Sequence, residues 1–360
     1  MAHDAPMSLA PAARFLIVRF GSLGDVVKCT ALPRLIKSRY PRGHVTFLTA
    51  EPFVELVRDN PFIDRALGFR RKEGLGGLKA LAASLQADGV DLVVDVHRSL
   101  RSRLLTRWLA RPRVQYSKRT LQRWLLIQLG IDTYTPPMGK EVDFLAGLAP
   151  YGVTDDGLGT QLFLSQVASD DRLRQRLPTV FGALDGWRRG GKPILGIAPV
   201  AAWEMKRWPL AHFRNLAHRF MAATGGGVVV FGGPADTDVE TMAQGLGRNA
   251  VSLVGRCSQL ESAYFASLTD VVVANDTGMT HLAEAAGRDV ITLFGPTSRE
   301  LGYYPTRPGS VAVERDLPCR PCTRMGEGHC THPLPMACLV GITPEQVFAH
   351  VLRQLPHRSP

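Results

Sequence analysis

The chain has 360 residues, 45% of them hydrophobic, with a formal charge of +11 at neutral pH. That length and apolar content exclude a disordered chain and provide for two α/β domains. No apolar run approaches the ~18 residues of a membrane span, and the first apolar stretch, 15–20, is too short for a secretory leader and is broken by Arg19, so a cytoplasmic protein is expected. The surplus of positive charge favours an anionic partner: nucleic acid, an anionic membrane surface or a phosphorylated substrate. A solvated basic surface is the plain alternative.

Residues 1–13 are small, polar and proline-containing and read as a flexible lead-in; 356–360 read as a loose tail. Residues 14–20 (RFLIVRF) form a near-continuous apolar run and are expected as a buried strand. A turn through Gly21, Ser22 and Gly24 leads to Asp25, and 26–39 carries helical spacing. Residues 44–49 are the next strand, 78–86 a helix, 89–96 a strand and 100–109 a helix. Such alternation predicts a parallel sheet with helices on both faces. The pattern stops between 164 and 192. It restarts with strands at 193–198, 227–231, 250–253, 270–274 and 289–294, separated by helices at 210–223, 236–245, 260–267 and 277–286. Two doubly wound units follow, 14–168 and 187–343, with a final helix within 344–360 that is free to return to the first. Two such units side by side create a cleft, and ligands bind at the carboxyl ends of their strands.

The strongest chemical signal is DVVVANDTGMTHLAEAAGRDVITLFGP, 270–296. An apolar strand ends at Asn275, Asp276 falls where a helix N-cap belongs, and Gly287 where a C-cap belongs. A helix start offers free N–H groups and the positive end of the dipole, which suits a phosphate. Thr277 and Gly278 open the helix. His281 lies one turn along from Thr277, able to donate to a phosphate or sugar oxygen. The second glycine turn, Gly295, Pro296 and Thr297, follows the next strand. Alone, Asp276 would be a cap and His281 a surface residue; the adjoining strand and second turn favour a binding site.

The turn 21–25 lacks GxGxxG and is a weak dinucleotide fingerprint. Asp25, ending the first strand, is placed either to deprotonate an acceptor hydroxyl or to cap a helix. In WEMKRWP, 203–209, Lys206 can reach a diphosphate and stabilise leaving-group charge, Arg207 can do the same or face solvent, and Trp208 and Pro209 look structural. Asp236, in GGPAD, is suited to ribose hydroxyls or to an N-cap. Arg98, Arg101, Arg103, Arg107, Arg111, Arg113, Lys118, Arg119 and Arg123 crowd the segment after the strand ending at Val96. Most are expected to be solvated; Arg98 and Arg101, nearest the strand end, and Lys118 are the favoured phosphate contacts.

Together, RFGSLGDVV, DVHRSLRS, KRWP, FGGPAD and NDTGMTHLAEAAGRDVITLFGPT resemble the ADP-heptose:lipopolysaccharide heptosyltransferase family, glycosyltransferase family 9, in the family's order. The resemblance implies a GT-B fold: two Rossmann-like doubly wound domains facing across a cleft. It implies inverting transfer of a heptose or related sugar from an ADP-sugar to the inner core of lipopolysaccharide. It makes Asp25 the general base, places Lys206 and the Asp276-Thr277-Gly278 turn at the diphosphate and heptose with His281 beside them, and sets Asp236 at the ribose. Acceptor contacts fall in the N-terminal domain. No cofactor is required, and the expected partners are the nucleotide sugar and an anionic lipid-linked glycan at the inner membrane's cytoplasmic face, met by a monomer; nucleic acid is not expected.

Of six cysteines, Cys319, Cys322, Cys330 and Cys338 cluster. Four thiolates can hold tetrahedral zinc, but with a single CxxC the structural-zinc reading ranks below buried thiols or a redox pair. Among rival functions, an NAD-dependent dehydrogenase would use the first sheet with Glu51 at the ribose, but it lacks GxGxxG. A nucleotide-sugar epimerase shares the fold, and a basic nucleic-acid-binding protein lacks any stacking platform.

Overall fold

The computed structural model describes residues 7, 9–136 and 139–355. It divides into two compact units. The first comprises Met1–Lys118 with Pro137–Phe163, the second Arg119–Pro136 with Leu164–Pro360.

In the first unit five parallel strands, β1 Arg14–Val18, β2 His44–Ala50, β3 Arg65–Phe69, β4 Leu92–Asp95 and β5 Arg113–Gln115, lie in the order β3-β2-β1-β4-β5. The central strands are apolar on both faces because helices cover both. Leu16, Val18, Leu48 and Val93 are fully buried with Leu105 and Leu109 of the Leu100–Leu109 helix. The single helix expected over 26–39 is two, Leu23–Lys28 and Ala31–Arg39. Pro33 has no N–H to continue the ladder, and Thr30 Oγ1 donates to Val27 O at 2.7 Å, drawing the backbone out of helical pairing. Of the expected lead-in, 1–6 and 8 lie outside the described residues. Its described end is anchored: Met7 N donates to Pro150 O, and Ala13 is buried with its carbonyl accepting from His44 N.

The second unit has six parallel strands, β6 Ile194–Ala198, β7 Gly227–Val230, β8 Ala250–Ser252, β9 Val271–Asn275, β10 Val290–Leu293 and β11 Val311–Val313, in the order β11-β10-β9-β6-β7-β8. Each sheet therefore reverses winding direction once, between β1 and β4 and between β6 and β9. Those two points are where doubly wound sheets take ligands. The same device sets the strand register beside both: Asp91 Oδ2 accepts from Arg14 N at 2.8 Å, and Asp270 Oδ2 from Ile194 N at 2.7 Å.

The closing helix, Pro344–Gln354, groups with the second unit. It packs on the Leu210–Thr224 helix and on β9 and β10. Val347 and Val351, spaced four apart, are fully buried in one apolar cluster with Phe213, Leu216 and Phe220. The 356–360 tail lies outside the described residues.

Candidate active site

In the second unit the site is built on the end of β9. Asn275 is fully buried and its Oδ1 accepts from Trp208 N at 3.0 Å, while Trp208 Nε1 donates to Ile342 O at 2.9 Å. Trp208 is fully buried, so these two bonds fix the 203–209 loop to the strand end. That loop then delivers Lys206, whose Nζ meets Asp276 Oδ2 at 2.5 Å with both side chains nearly buried. Thr297 Oγ1 donates to the same oxygen at 2.8 Å. Lys206, Asp276 and Thr297 are thus brought together from three loops at the winding reversal of the sheet.

Asp276 is not the helix cap. Thr277 takes that position before the helix Gly278–Ala285, and its side chain makes no capping bond. Thr277 Oγ1 is buried and has no hydrogen-bond partner. The first turn therefore lacks the usual side-chain acceptor for its free N–H groups, and an unused hydroxyl donor sits at its mouth. Both favour an anion there. His281 is buried, 6.4 Å from the Tyr303 ring, rather than on the surface. Gly287 follows the C-cap Ala286 in the left-handed region.

Asp236 caps its own turn backwards: Oδ2 accepts from Gly233 N at 2.7 Å. Arg207 lies 3.6 Å from both Asp236 and Asp238 and donates to Ala201 O, so it organises this turn and does not merely face solvent.

The residue that sequence reasoning missed here is Arg320. Its Nε donates to Gly295 O at 2.5 Å, and its Nη2 donates to Thr297 O at 2.8 Å and to Glu314 at 2.6 Å. It therefore holds both ends of the Gly295-Pro296-Thr297 turn, while Cys322 N donates to Pro296 O at 3.0 Å. Gly295 packs tightly, since a Cβ would stand 2.7 Å from Cγ of the buried Leu339 and would have to push that side chain aside. At Gly326, φ +99°, a Cβ would stand 2.9 Å from Lys206 Cγ, so the cysteine-rich loop lies against the lysine stem. The four loop thiols are unbridged, and among the described residues no three metal-ligating side chains converge to hold an ion.

In the first unit Asp25 sits at the third helical position after Ser22, not at the cap. Its Oδ2 accepts from Ser22 Oγ at 3.0 Å and Ser22 N at 3.4 Å, and pairs with the Arg19 guanidinium. Arg19, buried at the end of β1, also donates to Val96 O beyond β4 and stacks 5.4 Å from the Phe144 ring centroid. It spans the reversal point, which no spacing in the sequence announces. His97, edge-on to Phe20, has its pKa pushed down to about 4 by burial and then by the Arg19 charge, so its ring is neutral at pH 7. Arg98 and Lys118 are engaged locally: Arg98 Nη1 donates to Tyr116 O and Lys118 Nζ to Arg98 O, both at 2.7 Å. Arg101 lies over Phe20 and Phe69, 5.7 Å from each centroid.

Two parallel doubly wound units, each carrying polar groups at its reversal point, are the architecture of GT-B glycosyltransferases and of other nucleotide-binding enzymes, and the comparisons decide between them. The profile of glycosyltransferase family 9 (heptosyltransferase) matches residues 78–329, more than half of the chain, and the chain belongs to that family. It is 28% identical over 342 residues to lipopolysaccharide heptosyltransferase 1 of Pseudomonas aeruginosa, covering 86% of each protein. The fold matches a family 9 glycosyl transferase from Veillonella parvula with a TM-score of 0.76 at 20% identity, covering 97% of this chain and 98% of that one. It also matches an E. coli heptosyltransferase solved with ADP-2-deoxy-2-fluoro heptose, at TM-score 0.64 and 19% identity, covering 94% and 99%. Family membership displaces the dehydrogenase, epimerase and nucleic-acid readings. Among the described residues no helix is long and apolar enough to cross a membrane.

Proposed function

We propose that the chain transfers heptose from ADP-heptose to the inner core of a membrane-borne lipopolysaccharide acceptor, with inversion at the anomeric carbon. The carrying observation is the Lys206–Asp276–Thr297 group beside an uncapped helix start with an unpartnered Thr277 hydroxyl. A diphosphate at that start takes the free N–H groups of the first turn and the Thr277 donor. Asp236 is assigned to the ribose and His281 to the diphosphate end.

Asp25 accepts the proton of the acceptor hydroxyl as that oxygen bonds to the anomeric carbon. The bond from that carbon to the β-phosphate oxygen breaks in the same step. The electron pair leaves with ADP, whose added charge Lys206 and the helix dipole stabilise. Arg19 and Ser22 fix the carboxylate in place, and no covalent intermediate is required.

A thermal-shift screen tests the donor. A ligand at a hundredfold its Kd stabilises by about 2.7 kcal/mol. ADP-heptose and ADP are expected to raise Tm, and UDP- and GDP-sugars and NAD to leave it unchanged. Stabilisation by UDP-sugars or NAD, without ADP-heptose, would overturn the assignment.

A further inference from the structure

The arginines favoured from sequence are not the ones that form a pocket. Arg103, Thr106, Arg107, Ala110, Arg111, Arg113 and Gln115 line an open cavity of about 580 Å³ along the edge strand β5 of the first unit. Four of these seven residues are arginines and none is a carboxylate. Local structure explains the convergence. Arg103 and Arg107 are four apart on the Leu100–Leu109 helix and share a face, a like-charge spacing that disfavours the helix by itself. The helix then ends on Ala110 in the left-handed region, φ 50°, a conformation costly for a residue with a Cβ. That reversal brings Arg111 and Arg113 alongside the first two, and Arg113 Nη1 donates to Thr106 Oγ1 at 3.2 Å. Asp95 sits nearby through Gln115 but is fully buried and already accepts from Ser102 and two backbone N–H groups.

Solvent and salt screen the repulsion among four exposed guanidiniums, a bound anion relieves it further, and their planar forks match phosphate oxygens. At the head of the same helix Leu100 is 75% exposed. Leu105 and Leu109 of this helix are buried in the core of the unit, so Leu100 is the apolar side chain the helix leaves exposed beside the arginines, placed to enter the interface while they meet the headgroups.

We propose that this groove docks the chain on a membrane by binding the phosphodiester headgroups of anionic phospholipids. The proposal builds on the reading above, in which the acceptor is lipid-linked. It locates the membrane contact on the Leu100–Leu109 helix and β5.

Flotation with vesicles of phosphatidylglycerol and phosphatidylcholine, against phosphatidylcholine alone, tests it. Each basic residue near an anionic surface contributes about 1 kcal/mol, or roughly fivefold. The triple variant R103Q/R107Q/R111Q is therefore expected to bind anionic vesicles about a hundredfold more weakly than wild type. A charge-matched control, R172Q/R214Q/R248Q, removes exposed arginines of the second unit and is expected to change binding less than about fivefold. Equal losses in both variants would overturn the groove in favour of net charge alone. Release of wild type from vesicles by millimolar glycerol 3-phosphate would make the groove a soluble phosphate-ester site instead, and so would overturn the lipid assignment. Tighter binding to an oligonucleotide, lost in the groove variant, would overturn it in favour of nucleic acid. An ADP-induced thermal shift in each variant reports folding of the second unit independently. Failure of the wild type to bind anionic vesicles, with its ADP-induced shift intact, rejects the docking groove and leaves the transferase reading standing.

Discussion

Lys206 and Asp276 form a nearly buried pair whose side chains are 12% and 6% exposed, with Nζ and Oδ2 2.5 Å apart. Removing one partner leaves a charge without its counter-ion in a site that water reaches poorly, and such losses run to about 3–5 kcal/mol. K206M strands the Asp276 carboxylate, retaining only its Thr297 donor at 2.8 Å. D276N strands the ammonium but keeps the shape of the carboxylate. The double variant strands neither, so its destabilisation is expected to fall short of the sum of the singles by about 2–3 kcal/mol. Urea denaturation at pH 7 measures all four corners of the cycle. In turnover, K206M is expected to lower kcat about 10²–10³-fold, as removal of a preorganised charge-stabilising group does. Single variants within about 0.5 kcal/mol of wild type that add in the double would refute the reasoning, since only a solvent-screened pair behaves that way.

D25N preserves the shape of the carboxylate but cannot take a proton; kcat is expected to fall about 10²–10⁴-fold while the ADP thermal shift is unchanged. R320K keeps the charge but loses the planar fork across Gly295 O and Thr297 O; the KM for the donor is expected to rise by about tenfold, as for a lost charge-assisted hydrogen bond, with R320A worse. A kcat effect without a KM effect would count against Arg320 as a positioning residue for the donor turn. His97 protonates near pH 6.5 when unfolded but only near pH 4 when folded, so the unfolded chain holds the extra proton between those values. Stability contributed by the neutral ring is present above pH 6.5 and is lost as pH falls toward 4. Because the ring is only part-buried, wild type should lose about 1–2 kcal/mol more than H97Q between pH 7.5 and pH 4.5 in denaturant titrations; parallel losses would refute the shift.

The sheets were legible because buried parallel strands are short, mainly apolar and β-branched runs: β1, β2, β4, β6, β7, β9 and β10 all announce themselves this way, with Thr46, Thr49 and Thr292 keeping the β-branched shape. The strands missed are β3, β5 and β11, the first with exposed positions and a glycine, the others three residues long at sheet edges. The Thr277 turn was legible from the strand before it, though its cap was misplaced by one residue; Thr277 and Asp276 both suit an N-cap, and only the Lys206 and Thr297 contacts decide between them. Arg19 was legible only as a charge interrupting an apolar run, and Arg320 as one basic residue in a cysteine-rich loop. Their partners, Val96 and Gly295, lie 77 and 25 residues away, and backbone carbonyls leave no mark in a sequence. Conversely, a run of nine basic residues in 98–123 gives no sign of which converge. The left-handed turn at Ala110 selects Arg103, Arg107, Arg111 and Arg113, while Arg98 and Lys118 bind nearby carbonyls.

Transfer itself is the most direct test of the account. Wild-type protein is incubated with ADP-heptose, with and without an inner-core lipopolysaccharide acceptor, and ADP release and the anomeric configuration of the product are measured. The expected result is acceptor-dependent ADP release, one heptose added per ADP, and inverted configuration, with D25N slower by about 10²–10⁴-fold. ADP release that ignores the acceptor, or a product that keeps the donor's configuration, would contradict it.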